Sequence, residues 1–140
     1  MARGGQRLYA LLDLSSLDAD LRRRLVEAEE AIYAREDDPL LNWEAGSLRE
    51  AAVAAGLERV SVEEESHEVE MLVSSGTLDR WFGAAGEGGR PSYAGHLARC
   101  LSGDELACVE ALYRRQLTGQ AVAWRSRLAF LTAQRPLERR

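Results

Sequence analysis

The sequence predicts an α+β fold, mostly helical, with a small antiparallel sheet made from residues 59–73 and 121–132. Several stretches repeat apolar residues at helical spacing, whereas two stretches alternate apolar and polar residues as strands do. Two serine–glutamate pairs, spaced three residues apart, have the pattern of helix capping boxes. A chain of 140 residues has the length of one domain, so we expect residues 1–140 to form a single domain or a fragment of one.

The N-terminal part is predicted to hold two helices. A short one follows Gly5, and a longer one is capped by Ser16. The longer helix should end before Asp38-Pro39, because the residue before a proline disfavours helical geometry. Its apolar face is predicted to hold Leu21, Leu25, Ala28 and Ile32, with the charged residues Glu27, Glu29 and Glu30 on other faces.

The middle of the chain is predicted to form a capped helix followed by extended structure. Ser47 and Glu50 make a capping box, and Gly56 stands where a left-handed C-terminal cap belongs. Residues 59–65 alternate as a strand, and residues 69–73 either continue this strand or form their own.

The second half adds three helices, a loop and a strand. The predicted helix caps are Thr77, Ser92, and Ser102 paired with Glu105. Four glycines between positions 83 and 89 predict a mobile glycine-rich loop over residues 83–90. Gly119 should end the last helix, and residues 136–140 are expected to be a frayed tail.

The closing strand shows apolar alternation, with Val122, Trp124, Leu128 and Phe130 on one side. This parity predicts that Trp124 is among the most buried residues. Arg125 and Arg127 point the other way, where the sequence predicts that they lie opposite Glu63 and Glu65.

Charge and composition favour a cytoplasmic protein without a membrane segment. The net charge is −5, and no apolar run approaches the roughly 20 residues of a membrane span. Residues 97–140 carry eight arginines against four acidic residues. Clustered arginines are attracted to backbone phosphates, so nucleic-acid binding is one interpretation of this charge. Pairing of these arginines with acidic residues of the fold is the stronger interpretation, so direct nucleic-acid contact is not expected.

The most site-like segment lies around the glycine-rich loop. A loop that brings Arg90 and Tyr93 beside Trp81 could close over a ligand, which makes these three residues substrate-side candidates. The alternative is that Pro91 and Ser92 simply begin a helix.

No catalytic, cofactor-binding or metal-ligating residue is predicted. His96 and Cys100 lie four residues apart, and Cys108 could approach them, but this spacing is looser than that of a typical zinc site. Both cysteines are interpreted as buried reduced thiols. His67 has no serine or cysteine partner in a recognisable nucleophile setting.

Two resemblances point to a family. Ala55-Gly56-Leu57 leads into the strand 59–65, and residues 123–133 would pair with it, which is similar to the C-terminal portion of class I S-adenosylmethionine-dependent methyltransferases. Several blocks over nearly the whole chain resemble the C-terminal methyltransferase-like region of bacterial fusion proteins that carry an AAA+ ATPase of the replication-associated recombination protein A type. These blocks are Gln6–Tyr9, Ala28–Tyr33, Asp38-Pro39 with Asn42-Trp43, Leu78–Phe82, Arg90–Tyr93 and Trp124.

The resemblance implies a function for the whole family domain that this chain does not carry alone. The family's ATPase motif and its S-adenosylmethionine loop have no counterpart in these residues, so no cofactor residue is transferred to any position. We expect the acceptor-side portion of a methyltransferase-like domain, inactive alone, whose partner is the missing N-terminal half or the ATPase. The alternative is a non-enzymatic interaction or oligomerisation module serving such an ATPase, and homodimerisation would also cover its open sheet edge.

Overall fold

The computed structural model describes residues 5–35, 43–84 and 87–138, and within them it confirms the predicted α+β class. Two strands form one antiparallel sheet, and the helices contain more residues than the strands. The elements are α1 (Ala19–Ala34), α2 (Ala45–Ala54), β1 (Glu58–Val73), α3 (Ser75–Phe82), α4 (Tyr93–Leu97), α5 (Gly103–Leu117) and β2 (Gln120–Gln134), with 3-10 turns at Tyr9–Leu11 and Glu87–Gly89.

Three helix starts differ from the prediction. Helix α1 is capped by Asp18 rather than Ser16, and the Asp18 carboxylate accepts a hydrogen bond from the Leu21 N–H at 2.9 Å. Helix α2 is capped by Glu44 rather than Ser47, and α3 is capped by Ser74 rather than Thr77. The predicted Ser47–Glu50 capping box is therefore wrong.

Two of the misplaced caps, at α2 and α3, have a common cause. Ser47 and Thr77 occupy the third helical position, from which their hydroxyls bond back to the true cap residue. The Glu44 N–H donates to Ser47 Oγ at 2.9 Å, and the Ser74 and Thr77 hydroxyl oxygens lie 3.0 Å apart. When two residues able to cap stand one turn apart, local sequence does not determine which one begins the helix.

The remaining helix boundaries largely follow the sequence. Ser92 caps α4, and Ser102 and Glu105 form the expected capping box of α5. Gly56 and Gly119 adopt the left-handed geometry that ends α2 and α5, with φ of 81° and 74°. Helix α1 ends at Ala34, and the predicted stop at Asp38-Pro39 lies outside the described residues. The short helix predicted after Gly5 is only the 3-10 turn Tyr9–Leu11.

The two extended stretches before α3 form the single strand β1. It pairs with β2 from Ser61↔Thr132 to Val73↔Gln120, and a register shift separates Ser61 from the outer pair Glu58↔Gln134. Arg59 adopts a positive φ of 51° within this irregularity. At about 3.3 Å per residue, β2 extends roughly 50 Å, about twice the length of α1.

The hairpin has a near half, residues 69–73 with 120–124, and a far half, residues 60–68 with 125–134. In the near half Val73 is fully buried, and Met71, Val122 and Trp124 pack half-buried against the helical core. In the far half the covered face is the opposite one, on which α2 packs. The half-buried residues of that face, which we call the α2 face, include Val60, Val62, Ala129 and Ala133.

Val122, Trp124, Leu128 and Phe130 share one face of β2 as predicted, but the change of covered face overturns the prediction that this face is buried along the whole strand. Trp124 is half-buried rather than among the most buried residues, and Leu128 and Phe130 are 47% and 50% exposed. They lie on the face opposite the α2 face. A strict alternation pattern assumes that one face is buried along the whole strand, and this strand is covered on different faces at its two ends.

Candidate functional site

Glu29, a fully buried carboxylate on α1, stands at the centre of the helical core. Sequence reasoning placed it on a polar face, which is wrong. It lies four residues after Leu25 and four before Tyr33, both buried, so the helical repeat carries it to the core face. This spacing was the sequence signal for a buried position 29, but a charged side chain there favoured the opposite interpretation.

One tyrosine hydroxyl and one backbone amide satisfy one oxygen of Glu29, and a second tyrosine bonds the first. The Tyr93 hydroxyl donates a short hydrogen bond to Glu29 Oε1, and the Tyr9 N–H donates to the same atom at 3.3 Å. The Tyr113 hydroxyl lies 2.9 Å from that of Tyr93. Because the Tyr93 proton is directed to the carboxylate, Tyr113 donates to Tyr93, so a proton-donating chain runs from α5 through α4 to α1.

Burial sets the proton affinities of this cluster. Burial raises the pKa of Glu29, although the hydrogen bonds from Tyr93 and Tyr9 act to lower it. Burial also raises the pKa of Tyr93 and of Tyr113 well above the usual value for tyrosine. Glu29 Oε2 is buried and makes no hydrogen bond within the described residues. Burial thus disfavours the charged forms of all three side chains, and their hydrogen bonds join α1, α4 and α5.

A second polar network lies beside the first. Arg7 holds Glu30 through two hydrogen bonds of 3.0 and 3.2 Å, and the Tyr9 hydroxyl donates to Glu30 at 2.8 Å. The Arg7 guanidinium lies 3.8 Å from the centre of the Tyr33 ring, a cation–π contact, and its hydrogen bonds lower the pKa of Glu30. All four tyrosines of the chain thus gather around two consecutive glutamates.

The predicted substrate-side residues fall partly within this region. Trp81 packs edge-on against Tyr113, with ring centres 6.2 Å apart, and Tyr93 packs against the same ring at 5.8 Å. Trp81 and Tyr93 therefore meet through Tyr113, a residue that sequence reasoning did not single out. Arg90 is half-buried in the segment between the turn Glu87–Gly89 and α4. The Tyr93 hydroxyl is directed inward to Glu29, so its position is that of a residue that stabilises the core.

A groove of about 290 Å³ lies between α1 and α4. It brings His96 and Cys100 together, as their spacing predicted, whereas Cys108 does not line it. Both cysteines are exposed, so their interpretation as buried thiols is wrong. Within the described ranges, no three His, Cys, Asp or Glu side chains are grouped so that they could hold a metal ion. The groove is lined by Ala28, Ala31, Ile32, Arg35, His96, Arg99 and Cys100.

The arginines of β2 pair with glutamates of β1, but not with the predicted ones. Arg127 contacts Glu64 at 3.1 Å, and Arg125 approaches Glu68 to 3.9 Å. The predicted partners lie elsewhere, since Glu63 is opposite Phe130 and Glu65 is opposite Leu128. The strands are joined through three helices rather than a tight turn, so no turn geometry fixes their register in the sequence.

Gln6 binds the outer edge of β2, a contact that the sequence did not predict. Its side-chain amide donates to the Ala123 carbonyl at 3.4 Å, and its oxygen accepts from the Arg125 N–H at 2.8 Å. These two bonds imitate those of a neighbouring strand. The edge is thereby covered at residues 123 and 125.

No helix in the described part of the chain is long and apolar enough to cross a membrane. Comparisons with protein-family models, with curated proteins and with solved structures find no match to this chain.

Proposed function

We propose that this chain is a non-enzymatic interaction module that serves an AAA+ ATPase of the replication and recombination type. One observation carries the proposal: the far half of the hairpin extends beyond the helical core with apolar side chains uncovered. Leu128 and Phe130, which are 47% and 50% exposed, are neighbours on one face of β2, and Leu131, which is 41% exposed, lies on the other face. Contiguous exposed apolar surface beside an open strand edge is characteristic of an interaction site.

The buried cluster suits this role because it makes the helical part a stable support. Glu29 connects α1 to the tyrosines of α4 and α5, and burial keeps protons on the hydroxyls. A rigid base allows the hairpin to present its far half in one orientation. The ATPase enters the proposal through the family resemblance alone.

A second candidate function is the acceptor-side portion of an S-adenosylmethionine-dependent methyltransferase-like domain, inactive alone. The left-handed Gly56 that joins α2 to an antiparallel strand pair favours it, because this arrangement is the one that the resemblance implies. Trp81, Arg90 and Tyr93 are then its substrate-side residues. The cofactor would bind in the parent domain.

Two binding experiments distinguish the candidates. The first labels Cys108, which is exposed on α5, with a dye in a Cys100→Ser background, adds the ATPase of the same genome in increasing amounts and follows the anisotropy of the dye. The interaction proposal expects saturable binding that Phe130→Lys weakens at least tenfold and that Val53→Lys, at an exposed site on α2, leaves unchanged. Binding that is absent, or equal for both variants, would refute it.

The second experiment is calorimetry with S-adenosylmethionine. The chain alone should give no heat of binding, whereas the chain extended by its upstream coding sequence should bind if the methyltransferase candidate is correct. Micromolar binding by the chain alone would contradict both candidates, since neither provides a cofactor site within these residues.

A further inference from the structure

Within residues 5–35, 43–84 and 87–138, no hydrogen bond reaches the outer edge of β2 beyond the position of Gln6. Gln6 bonds to the carbonyl of Ala123 and the N–H of Arg125, so the odd-numbered residues direct their backbone groups away from β1. The pairing of β2 with β1 shows no shift between Gln120 and Thr132. The same orientation therefore continues along the strand, and residues 127, 129, 131 and 133 also present their backbone groups outward.

The open part of this edge is bounded at both ends. Gln6 covers it at residue 125, and Pro136 has no N–H to offer a further strand. Between Leu128 and Gln134 no residue is charged. Natural sheet edges usually carry charges or prolines that prevent further pairing, and residues 128–134 have neither, while the adjacent Arg127 is paired with Glu64. The open edge therefore comprises residues 127–133.

The other edge of the hairpin is protected by charge. Strand β1 carries six glutamates, and two copies joined along that edge would bring acidic side chains close together. The edge of β2 lacks this repulsion. A second copy can therefore add to β2, and the same reasoning disfavours its addition to β1.

We propose that two copies of this chain associate through antiparallel pairing of residues 127–133 of β2 about a two-fold axis at Phe130. The window between Gln6 and Pro136 is centred on this residue. In this register residue 127 pairs with 133 of the second copy, and 129 with 131. Arg127 then lies opposite Ala133 rather than opposite another arginine, and the two Phe130 rings meet across the axis on the exposed face.

The register also accounts for the exposed apolar side chains. Leu128 and Phe130 of both copies form one row on the face opposite the α2 face, and Leu131 meets its neighbours on the α2 face. The result is a continuous four-stranded sheet with glutamate-rich strands at both edges. The paired segment is only about 23 Å long, so the interface is small and the dissociation constant should be on the order of 10–100 µM.

Sedimentation equilibrium of the full chain tests the association. Between about 5 and 500 µM the average mass should rise from that of the monomer toward that of the dimer. Phe130→Lys should raise the dissociation constant at least tenfold, because two lysines would meet at the axis, while in the monomer the introduced lysine would lie opposite Glu63. The matched control is Leu72→Lys, at a 64% exposed site of the near half, which should leave association unchanged. Thermal melts verify that both variants fold.

Cross-linking tests the register in a background of Cys100→Ser and Cys108→Ser. Phe130→Cys should form an intermolecular disulfide on mild oxidation, because residue 130 faces itself in a non-hydrogen-bonded pair. Leu128→Cys alone should not, but it should cross-link to a second copy carrying Thr132→Cys. The self-pairing proposed here and the ATPase-binding function have separate readouts.

A chain that stays monomeric at about 500 µM overturns the proposal, as does a Leu128→Cys variant that cross-links to itself as readily as Phe130→Cys. If the chain binds the ATPase but remains monomeric, the edge serves that partner rather than a second copy, and only the self-pairing fails. If it dimerises but does not bind the ATPase, only the proposed function fails.

Discussion

Replacement of Glu29 by alanine should destabilise the helical core by about 2–6 kcal/mol. Two buried donors, the Tyr93 hydroxyl and the Tyr9 N–H, point at Glu29 Oε1, and a buried donor without an acceptor costs about 1–3 kcal/mol. Glu29→Gln should cost much less, because its amide oxygen can replace Oε1. The new amide N–H₂ would take the place of Oε2, which makes no hydrogen bond. Because the N–H₂ would also lack a partner there, Glu29→Gln should still lose some stability.

The same pair of variants predicts a pH dependence. The folded-state pKa of Glu29 is raised above its ordinary value, so the native state favours the protonated carboxyl. The stabilisation from this group is complete below the ordinary pKa and is lost as the pH rises through the folded-state pKa. Glu29→Gln lacks this loss, so the stability of the variant relative to the natural protein should increase as the pH rises above the ordinary pKa of a glutamate.

Urea denaturation followed by circular dichroism measures both effects. The difference between Glu29→Gln and the natural protein isolates the titration of this group, because other carboxyls, such as Glu105 with a pKa lowered to about 2 by Arg24, are unchanged in both. If alanine and glutamine cost the same, or if their difference from the natural protein does not vary with pH, Glu29 does not hold the network as described.

Three further changes test the hairpin and its entry. Trp124→Ala should cost about 1.5–3 kcal/mol, less than the roughly 3–5 of a fully buried aromatic, and a thermal melt with no shift would contradict its packing against the core. Arg127→Glu should lower stability by roughly 0.2–1 kcal/mol, and adding Glu64→Arg should restore part of the loss whereas Glu63→Arg should not; an equal rescue by both would refute the register. Gly56→Ala should cost about 1–2 kcal/mol because φ is 81° there, although the side chain would meet no atom within 4 Å, and an unchanged urea midpoint would argue against the left-handed cap.

Local features of this fold could be predicted from sequence, whereas features set by distant contacts could not. The cap at Ser102 and the left-handed Gly56 and Gly119 depend on neighbours within one turn, and these predictions are confirmed. The register of β1 against β2 depends on how three intervening helices pack. The sequence contains no turn that would set it.

The candidate site shows the same division. Trp81 and Tyr93 both pack against Tyr113, but Tyr113 and Glu29, which organise the cluster, were not singled out from the sequence. A buried carboxylate contradicts the usual preference of charged residues for solvent, and only the complete packing identifies its tyrosine partners. Gln6 was missed because its role depends on an edge formed by residues near the other end of the chain.

The order of the strands has a consequence for synthesis on the ribosome. Strand β1 emerges before α3, α4 and α5, and its partner β2 follows only after all three. During that interval β1 is an extended segment that could join strands of neighbouring nascent chains. Its six glutamates repel such encounters, and the uncharged segment of β2 is made last, when β1 is already available to receive it. The uneven charge of the two strands thus protects the chain from aggregation before it folds.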